Sequence, residues 1–195
     1  MAKITKKVRE RLRAGLRRFK PLLKAARERD ASRADTATLA LDQLSDLFGF
    51  DRYTEVTSEL DNREAVYDFA IHSGGSTAML VRVSPVGDAP DDRYLLATSQ
   101  HALLNGVEWI VLTNGIGWQV HHVEDIGNTR PETPVVLAFD LSHMQPGRDA
   151  HLDYPRRPPA AVQQRNPSDV LLGARPYLRR RREAGQRDEL GSVRK

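Results

Sequence analysis

Two β-type runs, residues 65–71 and 78–83, lie on either side of Ser73-Gly74-Gly75-Ser76. Apolar stretches of this length around a diglycine turn read as a β-hairpin, and any fold for the chain has to be built around it. Residues two apart on a strand project from the same face. Arg82 and Ser84 therefore share one face of the second strand, while the first strand carries a single acid, Asp68. A cluster of carboxylates at such a place would hold a hydrated divalent cation. Here the two neighbouring positions hold a guanidinium and a hydroxyl instead.

The elements around the hairpin follow from hydrophobic spacing. Ile4, Val8, Leu12, Leu16, Phe19 and Leu22/Leu23 recur every three or four residues among lysines and arginines, which predicts an amphipathic helix. Pro21 removes a backbone donor at a cost of about 3 kcal/mol inside a regular helix, so a kink or a pair of shorter helices is expected there. Asp35 or Thr36 is expected to cap a second helix that Gly49 ends. A strand is predicted over residues 53–60 and a helix over 91–105, closed by Gly106. Residues 108–113 and 116–123 flank Asn114-Gly115, a strong signal for a second hairpin, and residues 134–141 supply a last strand. The resulting fold class is α/β, a mixed central sheet flanked by helices.

Charge divides the chain into three parts. Residues 1–30 form a basic arm of net +9, residues 31–154 carry net −12, and residues 155–195 carry net +7. The organisation expected is a basic helical arm (1–30), a folded domain (31–143) and a Pro/Arg-rich extended tail (144–195), with at most one helical turn near 168–172. There is no cysteine, so disulfides and thiolate metal sites are excluded. No apolar run is long enough to span a membrane, and the charged start lacks the apolar segment of a signal peptide. A cytoplasmic location is the expectation. The six histidines stand at no metal-ligand spacing, and His121-His122 point to opposite faces of their strand.

Longer stretches carry a resemblance. Residues 50–59 (Phe-Asp-Arg-Tyr-Thr-Glu-Val-Thr-Ser-Glu), 67–71 (Tyr-Asp-Phe-Ala-Ile) and 106–115 (Gly-Val-Glu-Trp-Ile-Val-Leu-Thr-Asn-Gly) resemble the N-terminal domain family of type I restriction enzyme R subunits. The chain looks more closely like the small stand-alone bacterial members, whose leading basic helix and Arg-Asp…Asp-Thr segment match Arg29-Asp30 and Asp35-Thr36. The resemblance covers residues 1–142. It implies a restriction-endonuclease-like fold of the PD-(D/E)xK type, in which an acid on one strand and an acid and lysine two apart on the next form a Mg²⁺-dependent nuclease site. Carried over residue by residue, the first acid falls on Asp68, and the acid that ends the first strand falls on Glu59. The second metal-binding acid falls on Arg82 and the catalytic lysine on Ser84. The family's Gln-x-x-x-Tyr signature falls on Ala97 and His101, with Gln100 out of place.

These departures remove the chemistry. A guanidinium neither loses its proton nor ligates a cation, and beside Asp68 it is expected to form an ion pair where the metal belongs. Ser84 cannot supply the positive charge that stabilises the transition state. The expectation is a pseudo-nuclease needing no cofactor, with Mg²⁺ relevant only if the site proves active through Asp68 and Glu59. Nucleic acid is expected at the arms, through Lys6, Lys7, Arg9, Arg13, Arg17, Arg18 and Lys20 at one end and Arg179, Arg180, Arg181 and Arg182 at the other. Such a protein would bind nucleic acid or assist a restriction or DNA-processing system. One alternative is a structural module that docks a protein partner or a second copy of itself; another is an active metal-dependent endonuclease with an unconventional site.

Overall fold

A computed structural model describes residues 6–59, 65–90, 94–125, 127 and 131–144. The chain runs through helix α1 (Lys6–Glu28), helix α2 (Arg33–Gln43) and a π-helical turn (Leu44–Phe48). Strands β1 (Val56–Ser58), β2 (Phe69–Ser73) and β3 (Ser76–Val83) follow, then helix α3 (Leu95–Leu104). Strands β4 (Trp109–Thr113), β5 (Gly117–His122) and β6 (Val135–Asp140) complete the described part. All six strands form one sheet in sequence order. Every neighbouring pair is antiparallel except β3 and β4, which are parallel and joined through α3. A parallel pair needs such a crossover, because a tight turn can only reverse the chain.

Alternation along β3 assigns the two faces. Met79, Val81 and Val83 pack with Phe69, Ile71, Trp118 and Leu137 beneath α1 and α2. Leu80 packs with Ala70, Ile110, Leu112 and Ala102 beneath α3. The sheet is thus covered on both faces, as the α/β reading with helices flanking a mixed sheet requires. No helix of the described residues is long and apolar enough to cross a membrane.

Helix α1 runs through Pro21 as one helix, which corrects the expectation of two shorter helices meeting there. Proline in a helix frees the carbonyl four residues earlier, here that of Arg17. Both Pro21 and Arg17 are exposed, so water can satisfy that group. The opposite side carries Leu16, Phe19, Leu23 and Ala26 into the core. Gly15 lets α1 approach the π-helical turn closely. A Cβ there would lie 2.6 Å from Leu47 Cδ1 and 3.3 Å from Leu47 Cα.

Local details differ elsewhere. Ser32, not Asp35 or Thr36, caps α2: its backbone is extended and its hydroxyl accepts the Asp35 N–H at 3.2 Å. Thr36 lies inside the first turn, fully buried, its hydroxyl donating to Ser32 O at 2.8 Å. The last carbonyls before Gly49 are satisfied from α1: Arg11 Nε donates to Leu47 O (3.2 Å) and Arg11 Nη2 to Phe48 O (2.8 Å). Strand β1 is shorter than expected because Asp51 accepts the N–H groups of Tyr53 (2.9 Å) and Thr54 (3.0 Å), folding that stretch into a turn.

The first hairpin has the expected diglycine, with Gly74 and Gly75 at φ 65° and 88°. The second is shifted by one residue. Asn114 pairs with Gly117, so Gly115 and Ile116 occupy the turn centre. Gly115, at φ 80°, takes the first central position, as in a type II′ turn. Asn114 contributes its side chain instead, Oδ1 accepting from Ile116 N (3.0 Å) and Gly117 N (2.7 Å). Of the expected tail, residues 144–195, Met144 packs against the core; residues 145–195, with the turn near 168–172, lie outside the described residues.

Candidate functional site

Asp68 sits one residue before β2, where β2 and β3 run out beneath the start of α2. Its N–H donates to Val81 O (2.8 Å), and its carbonyl accepts the Glu59 N–H (2.9 Å), which continues the β1–β2 ladder. The side chain is completely buried. Oδ2 accepts the Val83 N–H at 2.7 Å, and Oδ1 accepts from Arg33 Nη2. Arg82 Nη1 lies 3.7 Å from Oδ2. Both carboxylate oxygens therefore have partners within the protein.

The two arginines arrive from opposite sides. Arg33, the first residue of α2, also donates Nε to Val83 O at 3.3 Å, so its guanidinium straddles the end of β3. Its side chain is 42% exposed. Arg82 comes from β3, on the α3 face of the sheet, and is 10% exposed. Its Nη1 donates to Ala65 O (3.1 Å), and its guanidinium lies 4.4 Å from the Tyr94 ring centroid. Arg82 thus divides its interactions among Asp68, a carbonyl and an aromatic face, while Arg33 makes the tighter contact with the carboxylate. The ion pair foreseen for Arg82 is present but long, and Arg33 is the partner that sequence reasoning missed. Placing the helix cap at Asp35 or Thr36 left Arg33 in a linker. Ser32 followed three residues later by Asp35 is the signal that puts Arg33 in the first helical turn.

The other predicted positions do not converge on Asp68. Ser84 is buried, and its N–H donates to Thr113 O (2.8 Å), extending the β3–β4 ladder. Glu59 is half-buried; its negative charge acts on Tyr67, whose phenol burial and then Glu59 push above the ordinary tyrosine range. On α3, Ala97 and Gln100 are exposed, while the His101 ring packs 5.3 Å from that of Tyr67. Thr98 and Ser99 are the buried polar residues of α3; the Thr98 hydroxyl lies within hydrogen-bonding distance of Val66 O (2.5 Å) and Tyr94 O (2.9 Å).

A divalent cation does not fit these residues. Magnesium needs oxygen ligands arranged octahedrally, with carboxylates to balance its charge. Two guanidiniums and a backbone N–H surround the one buried carboxylate here, and each would repel or displace the ion. Among the described residues, no group of three or more histidines and acids is placed to hold a metal.

The basic residues foreseen on the first helix divide into two groups. Lys6, Lys7, Arg9, Arg13 and Arg17 are exposed and Lys20 is half-buried. Arg18 turns toward α2 and the π-helical turn, where it pairs with Asp46 and lies 3.9 Å from Asp42. Arg179, Arg180, Arg181 and Arg182 lie outside the described residues. Comparison of the chain with protein-family models, with curated proteins and with solved structures gives no match in any of the three.

Proposed function

We propose that this chain is a nuclease-like scaffold of the restriction-endonuclease type that binds nucleic acid through basic surfaces and does not cleave it. The observation that carries the reading is the state of Asp68: its buried carboxylate is held by Arg33, Val83 N–H and Arg82. A metal-dependent nuclease needs that carboxylate open to an ion and joined by further acids. The order helix, three-stranded meander, helix, parallel strand supports the finer fold assignment, as do the resembling segments around Asp68 and Trp109.

Binding is supported by the exposed cations of α1, which sit on a domain that is otherwise acidic. The negative balance of the core disfavours a grip on nucleic acid by the sheet itself, leaving the basic helix and tail as the contact elements. A protein of this kind would serve as an accessory in a restriction or DNA-processing system.

The test is incubation of the full chain with supercoiled plasmid and Mg²⁺ or Mn²⁺, beside a gel shift on the same DNA. The expected result is retarded, uncut plasmid. Nicking that disappears in Asp68→Asn would overturn the catalytic half of the proposal. Absence of any shift at low ionic strength would overturn the binding half.

A further inference from the structure

Seven cations of α1 fall on one narrow strip. Lys6, Arg9, Arg13, Arg17, Lys20, Lys24 and Arg27 are separated by three or four residues, so at 100° per residue they lie within an arc of about 80°. They span about twenty-one residue steps, about 31 Å of helix. Lys6 lies 3.9 Å from Glu10 and Lys24 3.8 Å from Glu28, each pair across exposed side chains. The other five have no acidic partner within ion-pair range among the described residues. Lys7 and Arg18 lie on the opposite flank, where Arg18 is held by Asp46.

Two observations narrow what such a ridge can bind. An amphipathic helix grips a lipid surface by burying its apolar face among the acyl chains. The apolar face of α1 is already in the protein core, with Leu16, Phe19 and Leu23 at 3%, 1% and 2% exposure. Insertion into a bilayer would require the helix to leave the sheet. Single-stranded nucleic acid is held by stacking bases on aromatic rings. The only aromatic residue of α1 is Phe19, which faces inward. What remains on the ridge is a row of guanidiniums and ammoniums, suited to phosphates at regular spacing.

We infer that the α1 ridge is a docking surface for the phosphate backbone of double-stranded nucleic acid, engaged without reading sequence. The inference rests on the binding half of the function proposed above and names the element and the form of nucleic acid. At about 3.4 Å per base pair the ridge covers about nine base pairs. Four to six phosphate contacts give a slope of log K against log salt of about −3.6 to −5.4, which corresponds to a loss of about 150- to 1800-fold between about 50 and 200 mM salt. Sequence should matter little, because phosphate contacts position a protein without specifying bases.

The experiment is fluorescence anisotropy of labelled duplex, and of single strand of the same length, against the full chain over a salt series. Three proteins are compared: the unaltered chain, Arg13→Glu/Arg17→Glu on the ridge, and Arg29→Glu/Arg52→Glu off it. Thermal melts establish that all three are folded. The expected result is tighter binding of duplex than of single strand, with at least a tenfold loss and a slope about 2 smaller in the ridge variant only. Equal losses in both variants would reduce the effect to net charge and overturn the ridge. Full binding by the ridge variant would overturn it too, while leaving nucleic-acid binding by the tail intact. Preference for single strand would overturn the duplex assignment. If the unaltered chain binds no duplex at low salt, the underlying function fails with it. Ridge-dependent flotation with phosphatidylserine vesicles in that case would assign the surface to lipid.

Discussion

Replacing Asp68 by alanine distinguishes a structural carboxylate from a retained metal ligand by the sign of its effect on stability. Acids gathered around an absent cation repel one another, so removing one leaves stability unchanged or raises it. Asp68 is in the opposite situation: fully buried, it accepts the Val83 N–H at 2.7 Å, binds Arg33, and lies 3.7 Å from the 10%-exposed Arg82. In Asp68→Ala the Arg82 guanidinium stays buried without its anion and the Val83 N–H loses its acceptor. Removing one partner of a buried ion pair costs about 3–5 kcal/mol. The Arg33 contribution is discounted because that side chain is half-exposed and screened by water. For a chain of this size each kcal/mol moves Tm by about 2–4 °C, so the expected fall is about 6–20 °C. The assay is thermal unfolding followed by circular dichroism, with urea melts to check that the m value is unchanged. Arg33→Ala should fall by a smaller amount in the same assay. A Tm for Asp68→Ala within about 2 °C of the parent, or above it, would refute the reasoning.

Further consequences can be checked in parallel. Gly15→Ala gains about 1 kcal/mol of helix propensity but forces a methyl against Leu47, whose side chain is buried; overpacking of about 1–3 kcal/mol should win, and urea melts should show net loss. Introducing an acid and a lysine with Arg82→Glu/Ser84→Lys should yield no plasmid cleavage, because Arg33 still holds Asp68; adding Arg33→Ser frees the carboxylate, and Mg²⁺-dependent nicking should appear only in the triple variant. Burial and then Glu59 raise the pKa of Tyr67, so its neutral form is favoured in the folded state. That contribution is fully present below the unfolded tyrosine value of about 10 and is lost as pH rises through the higher folded value. Melts between about pH 9 and 11 should show the parent losing stability more steeply than Tyr67→Phe.

The parts of the fold that were legible in the sequence are those settled locally. Gly74-Gly75 lets the chain reverse between two apolar runs, so the β2–β3 hairpin follows from neighbours in sequence. The second hairpin was located but set one residue off, because Asn-Gly suits a turn centre as well as it suits the position before one. There the Asn114 side chain holds two backbone N–H groups and so prefers the outer place. Pro21 misled in a different way. Its penalty depends on whether the carbonyl it frees is wetted, and that is set by which face α1 buries. The basic residues expected on this helix ended at Lys20, although Lys24 and Arg27 lie on the same strip.

The candidate site was legible in its losses and not in its partners. Ser84, expected on the same face, lies in the β3–β4 ladder instead, whereas Arg82 could be placed beside Asp68 from strand periodicity. Arg33 could not, since it reaches Asp68 across thirty-five positions and only the tertiary packing of α2 on the end of β3 brings them together. Arg11 escaped notice for the same reason: it sits among the cations of α1, yet it is directed at the carbonyls of Leu47 and Phe48. Charge counting cannot tell an arginine that faces solvent from one that closes a helix end.

The central claim is that the Asp68 carboxylate is occupied by protein cations and holds no metal. Titration of the full chain with Mn²⁺, followed by electron paramagnetic resonance of the free ion, tests it most directly. The account predicts no stoichiometric site that is lost on Asp68→Asn, and a titration that is the same in parent and variant. One ion bound per chain in the parent, and absent in a folded Asp68→Asn variant, would contradict it.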